Sequence, residues 1–151
     1  MSFDPIISAA TVKEPPARAF IRFTNHTKDW WKKETPFVNE SNWNFFIANT
    51  VGGRWFERDE DGAEITWGQV LAFQPPGRLL LAMQLDAQFR YDLEISTEIE
   101  IGFAPAPGGA CLVTLAHRNL ERLGASAQPM IEAMRAAWAR HVEEFAEGAK
   151  A

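Results

Sequence analysis

Gly52-Gly53-Arg54-Trp55-Phe56-Glu57, the turn Asp59-Glu60-Asp61-Gly62, Trp67-Gly68-Gln69-Val70-Leu71-Ala72-Phe73, the turn Pro75-Pro76-Gly77 and Arg78-Leu79-Leu80-Leu81 make up the stretch from Val51 to Leu81 that decides the fold. Asp-Gly and Pro-Gly are turn chemistry, and the aromatic and branched runs between them suit half-buried strands. Two hairpins in succession follow from this order, and with them an antiparallel meander.

Outward from that block, Ile6 to Val12 reads as an opening strand. Pro15-Pro16 then places proline in a first helical turn, so a short helix begins there, and Asn25 to Trp31 reads as a second short helix or turn. Lys32 to Asn44 is polar and broken by proline, and is predicted to be a mobile connection; with tryptophans at its ends, the stretch from Trp30 to Trp43 suits a rim or lid. Downstream, Ile95, Ile99, Ile101 and Phe103 share one side of a strand, the segment around Pro107-Gly108-Gly109 is a turn, and Cys111 to His117 is the next strand. After a break at Gly124 to Pro129, Met130, Met134, Trp138, Val142 and Phe145 recur every three or four residues. That spacing predicts a long amphipathic helix, with Ser126 capping its start, Gly148 its end, and Glu132, Arg135, Arg140, Glu143, Glu144 and Glu147 elsewhere around the turn.

A chain of 151 residues fits one domain, 1–151, large enough to enclose a cavity within its core. The formal net charge of -5, with basic residues scattered, disfavours nucleic acid as a partner. The lone Cys111 cannot close an intramolecular disulfide and fits a reducing compartment. Neither a signal peptide nor a membrane span is recognisable, so the expectation is a soluble, cytoplasmic protein without a membrane partner. Six tryptophans and eleven phenylalanines, dense between Trp30 and Trp67, imply a large aromatic core or a lined cavity.

The GGR-x-F-E strand, the W-G-x-V strand and the P-P-x-R-L-x-L strand, in this order, resemble the AHSA1-like branch of the START-like (SRPBCC) superfamily, named for an activator of the Hsp90 ATPase. Pro15-Pro16-Ala17-Arg18-Ala19-Phe20, Trp30-Trp31 and Leu115-Ala116-His117-Arg118-Asn119-Leu120 extend the likeness over nearly the whole chain, whereas residues 32–44 depart from it. The resemblance implies an α+β helix-grip fold: a curved antiparallel sheet wrapped around a long C-terminal helix, two short helices after the first strand, and a hydrophobic cavity between sheet and helix.

Candidate residues follow from that geometry. His117 shares a strand side with Val113 and Leu115, so it is the candidate for acid–base work at the cavity, weighed against a structural role that the reading prefers. Glu98 and Glu100 project together, but alternation with Ile99 and Ile101 sends them outward. The three histidines lack metal-ligand spacing, no nucleotide or nucleophile motif appears, and no metal or cofactor is expected. Trp31, Phe37, Trp43, Trp55, Trp67, Met83, Ile99, His117, Met134 and Trp138 are the residues expected to touch a ligand. The leading function is binding of a small, largely apolar or aromatic molecule. The alternative is a cyclase- or hydrolase-like enzyme using His117, with the balance leaning away from catalysis. A role as an Hsp90 cochaperone, which follows from the family name alone, comes last, and the edge strands or final helix leave room for a homodimer.

Overall fold

The computed structural model describes residues 3–30, 44–58, 62–88 and 90–149. Strand β1 (Ile6–Val12) leads into helix α1 (Pro16–Asn25) and the single turn α2 (Thr27–Trp30). Then come β2 (Asn44–Ile47), β3 (Arg54–Arg58), β4 (Glu64–Gln74), β5 (Arg78–Met83), β6 (Thr97–Ala106) and β7 (Ala110–Arg118). Two 3₁₀ turns over 120–127 precede the long helix α3 (Gln128–Gly148). Among the described residues the strands form one curved antiparallel sheet in the order β1-β7-β6-β5-β4-β3-β2. The helix-grip expectation therefore holds, including the two short helices after the first strand.

The alternation read from sequence sets which face is buried. In β6, Ile99, Ile101 and Phe103 are buried while Glu98, Glu100 and Gly102 are half-exposed, and β7 repeats the pattern with Val113, Leu115 and His117 inside. Glu98 and Glu100 lie on the outer face, as expected, and pair there with Arg118; Glu100 also pairs with Arg78. The outer carboxylates thus form a cross-strand charge ladder, not an acid–base couple. Helix α1 starts as Pro15-Pro16 predicts, with Pro15 extended at the cap and Pro16 in the first turn. It lays Phe20 and Phe23 onto Phe73 and Phe103 in edge-to-face contacts.

Three expectations are corrected. Ser126 does not cap α3: it lies in a 3₁₀ turn, Ala127 takes the cap position, and no side chain bonds there. Glu144 is not on the outer side of α3 but buried, one turn beyond the likewise buried His141. The sheet also gains β2, which begins at the last residue of the expected connection and is not assigned as a strand from sequence. Residues 31–43, which hold Trp31, Phe37, Trp43 and all of the expected lid after Trp30, lie outside the described residues.

Gly68 explains how the meander closes. Trp55 on β3 faces Gly68 on β4, which faces Met83 on β5. The Trp55 indole crosses the bare glycine, and its Nε1 donates to the Ala82 carbonyl oxygen at 2.7 Å. A Cβ on Gly68 would come 1.7 Å from that same oxygen and 2.8 Å from the indole nitrogen. The Ala82 backbone on one side and the buried Trp55 indole on the other leave no room for a Cβ, so only glycine permits the crossing. Gly68→Ala is expected to cost about 3 kcal/mol in urea unfolding, in line with overpacking against an unyielding neighbour. Gly77→Ala, whose nearest non-neighbour atom is 4.0 Å away, serves as the control and should stay within about 0.5 kcal/mol. Equal effects at the two sites would show that the close approach does not constrain the sheet.

Candidate functional site

The inner face of the sheet, α1, α2 and α3 meet around one aromatic cluster. Phe23 packs on Trp30 at 4.7 Å and on Phe145 at 5.2 Å, and Trp30 meets Phe145 edge-on at 5.1 Å. Arg22 fastens this cluster from the side. Its guanidinium lies 3.8 Å over the Phe145 ring, donates to the Phe145 carbonyl at 2.7 Å, and pairs with buried Glu14 at 2.6 Å. A cation at the carbonyl end of α3 is favoured by the helix dipole as well as by the ring.

Between this cluster and the sheet lies a cavity of about 10 Å³, the room of a single water molecule. Ile101, Val113 and Leu115 supply its sheet wall, and Trp138, His141, Val142 and Phe145 its α3 wall. Phe23 and Trp30 complete it. Among the described residues His141 is its one ionisable lining group. Its Nδ1 lies 3.0 Å from a Glu144 carboxylate oxygen, and both side chains are buried.

His117 is engaged differently. Trp138 Nε1 can only donate, and it does so to His117 Nδ1 at 3.1 Å. The proton of the neutral ring must then sit on Nε2, which lies 2.8 Å from Thr97 Oγ1. Thr97 in turn donates to the Met83 carbonyl at 3.4 Å. One directional chain therefore runs from α3 through β7 and β6 to β5. With the ring fully buried, desolvation drives its pKa from 6.5 down to about 3, so the imidazole is neutral near pH 7.

Of the residues selected from sequence, Trp138 lines the cavity and His117 is bonded to it. Trp55, Trp67, Met83, Ile99 and Met134 lie buried in the continuous core. Trp55 and Trp67 pack at 5.1 Å, and Trp67 Nε1 donates to fully buried Glu57 at 3.1 Å. Sequence reading passed over Glu57, His141 and Glu144, although the signals were present. Period two from Trp55 places Glu57 on the same inner face, and three residues from Trp138 place His141 on the helix stripe. At these positions charge argues for water and phase for the interior, and phase prevails.

His117 gives the site a measurable acid response. Its folded-state pKa lies below the unfolded value near 6.5, so the unfolded chain takes up the proton first as pH falls. The stability from keeping the ring neutral is full above that value and is lost progressively toward pH 3. Between pH 7 and pH 5 the protein should lose about 2 kcal/mol that His117→Gln does not lose, at 1.36 kcal/mol per pH unit. Denaturant titrations at the two pH values measure the difference, and parallel losses would assign the acid response to other groups.

Solved structures place this arrangement among known folds. The chain is similar to an anthrahydroquino-γ-pyrone synthase, Txn09, in complex with a compound designated SUM, at 29% identity, TM-score 0.69 and 97% coverage of both chains. The dimeric Aha1 of Colwellia psychrerythraea matches at 14% identity and TM-score 0.67, over 96% of this chain and 95% of that one. DynU16, a putative protein of the dynemicin biosynthetic locus, matches with the same identity and TM-score over 96% of this chain and 46% of its own length. The last two likenesses concern the fold alone. No relative matches among curated proteins. Residues 13–149 match the family described as activator of Hsp90 ATPase homolog 1-like protein, and the chain belongs to that family.

Proposed function

We propose that this protein binds a small, largely apolar or aromatic molecule between the inner sheet face and α3. The observation that carries the reading is the wall of rings and aliphatic side chains from sheet, α1, α2 and α3 that converges on one internal space. The described space is closed down to about 10 Å³, so a ligand ring must take the place of a protein ring. Trp30 is the ring whose own element is shortest, since it ends the four-residue α2. Its departure would vacate the area of an indole against Phe23 and Phe145, at the cost of the hydrogen bond that its Nε1 gives to the Arg22 carbonyl at 3.1 Å.

The similarity to Txn09 supports an aromatic ligand, because an anthrahydroquino-γ-pyrone is a fused aromatic polycycle. It also favours a second reading, a synthase in which the cavity folds its substrate for ring closure. Such a reaction would not run through His117. Both of its ring nitrogens are engaged in the chain from Trp138 to Thr97, and its pKa near 3 makes it a poor base at neutral pH.

Titration with 2-naphthol, followed by methyl NMR, tests the binding reading. Saturable shifts are expected at Ile101, Val113, Leu115 and Val142, while exposed Ile7 and Leu93 stay still. Native mass spectrometry of protein taken gently from its source should show a bound small molecule. An empty protein together with shifts confined to exposed residues would overturn the proposal.

A further inference from the structure

We infer that Arg22 is the polar anchor of a ligand seated in place of the Trp30 indole, and that its Nη1 selects an aromatic skeleton carrying a neutral carbonyl oxygen. This deepens the binding reading above and rests on it. A guanidinium has five N–H donors and nothing with which to accept. Nε donates to Glu14 at 2.6 Å, and Nη2 donates to the Phe145 carbonyl at 2.7 Å while it also faces the Glu14 carboxylate. Nη1 carries the remaining two donors. It is buried, and among the described residues no acceptor lies within its hydrogen-bond reach. A buried donor on a charged group forfeits its hydration unless it is bonded, so the position calls for an oxygen.

Gly148, the last residue of α3, sets the room for that oxygen. A Cβ there would come 3.0 Å from Nη1 and 3.7 Å from Trp30 Cβ, so the bare glycine, Nη1 and the root of the Trp30 side chain meet at one point. Arg22 Cζ stands 3.8 Å over the Phe145 ring, the same ring that the Trp30 indole meets edge-on at 5.1 Å. A ligand ring in the place of that indole therefore rests on Phe145 beside the guanidinium. Charge fixes the kind of oxygen. Glu14 already neutralises Arg22, and the carbonyl end of α3 bears partial negative charge, so a carboxylate would meet a balanced pair and a repelling helix end. A ketone oxygen accepts from Nη1 without bringing charge, and a plain hydrocarbon offers it nothing.

Methyl NMR titrations read at Ile101 and Val142 measure the affinities of three probes of like shape: 2-acetylnaphthalene, 2-isopropylnaphthalene and 2-naphthoate. The ketone should bind about tenfold more tightly than the hydrocarbon, the low end of what a hydrogen bond to a charged group is worth. 2-Naphthoate should bind no more tightly than the hydrocarbon. Gly148→Ala sets a methyl group against Nη1 and suits a helix better than glycine, so the ratio of ketone to hydrocarbon affinity should fall to about one. Arg22→Lys keeps a cation for Glu14 but has no second nitrogen to place beside Gly148, and it too should lose the ketone's advantage. Equal affinities for ketone and hydrocarbon, an advantage that survives Gly148→Ala, or a carboxylate that binds more tightly than the ketone overturns the anchor while binding itself stands. If none of the three probes binds, and 2-naphthol does not either, the binding reading falls and the anchor with it.

Discussion

Four groups in series hold the sheet and its helix in one register: the Trp138 indole, the His117 imidazole, the Thr97 hydroxyl and the Met83 carbonyl. Each is buried, so each polar atom must find a partner or forfeit its hydration. The direction of the whole chain is set at its first member, because an indole nitrogen has a proton to give and nothing with which to accept. Phenylalanine at 138 would fill the same space and leave Nδ1 of His117 without a donor. The pairing explains why tryptophan sits in the middle of α3 and why a histidine is tolerated where β7 is otherwise aliphatic. Sequence alternation places His117 inside; the relay supplies the reason for it to be there.

The aromatic excess has a related explanation. Phe20, Phe23, Phe73, Phe103, Trp30 and Phe145 are joined by ring contacts with centroids between 4.7 and 5.7 Å, edge-to-face in every pair except the tilted Phe23–Trp30. Rings packed edge-to-face leave few gaps, because the positive edge of one meets the negative face of the next. The described cavity is accordingly small. On the binding reading proposed above, a ligand ring would replace a protein ring at little net loss of contact, whereas an aliphatic ligand would forfeit the edge-to-face contacts.

Much of the fold was legible because it is written in period and punctuation. The Asp-Gly and Pro-Pro-Gly sequence signals separate runs that become β3, β4 and β5, and the stripe from Met130 to Phe145 becomes the inner face of α3. What escaped was short or contradictory. Strand β2 has four residues at the end of a polar, proline-broken stretch, too few for alternation to register, and it exists because β3 offers it a paired edge. Ser126 has the chemistry of a cap, but the 3₁₀ turns that lead into α3 place Ala127 at that position instead. Gly68 gave no hint beyond its identity. Its role depends on an indole from a neighbouring strand and a carbonyl from another, a three-strand relation that no local pattern encodes.

The site was less legible because its polar residues break the rule that made the fold readable. Glu57, His141 and Glu144 occupy inner positions by phase, yet each would normally face water by charge. A pattern reading resolves that conflict in favour of charge, which is wrong for these three; at Glu98 and Glu100 phase and charge agree. The difference lies in what each finds on arrival. Glu98 and Glu100 meet arginines on a solvated sheet face, where ion pairs are cheap to form and worth little. Glu57 meets the Trp67 indole N–H, and Glu144 meets the His141 imidazole, each inside an apolar surround. Interior polar groups of this kind are costly unless they are bonded, and apolar residues of like volume would stabilise the core at least as well. Their presence on the inner faces of β3 and α3 is therefore the strongest departure from a core built for stability alone, and one of them, His141, borders the cavity.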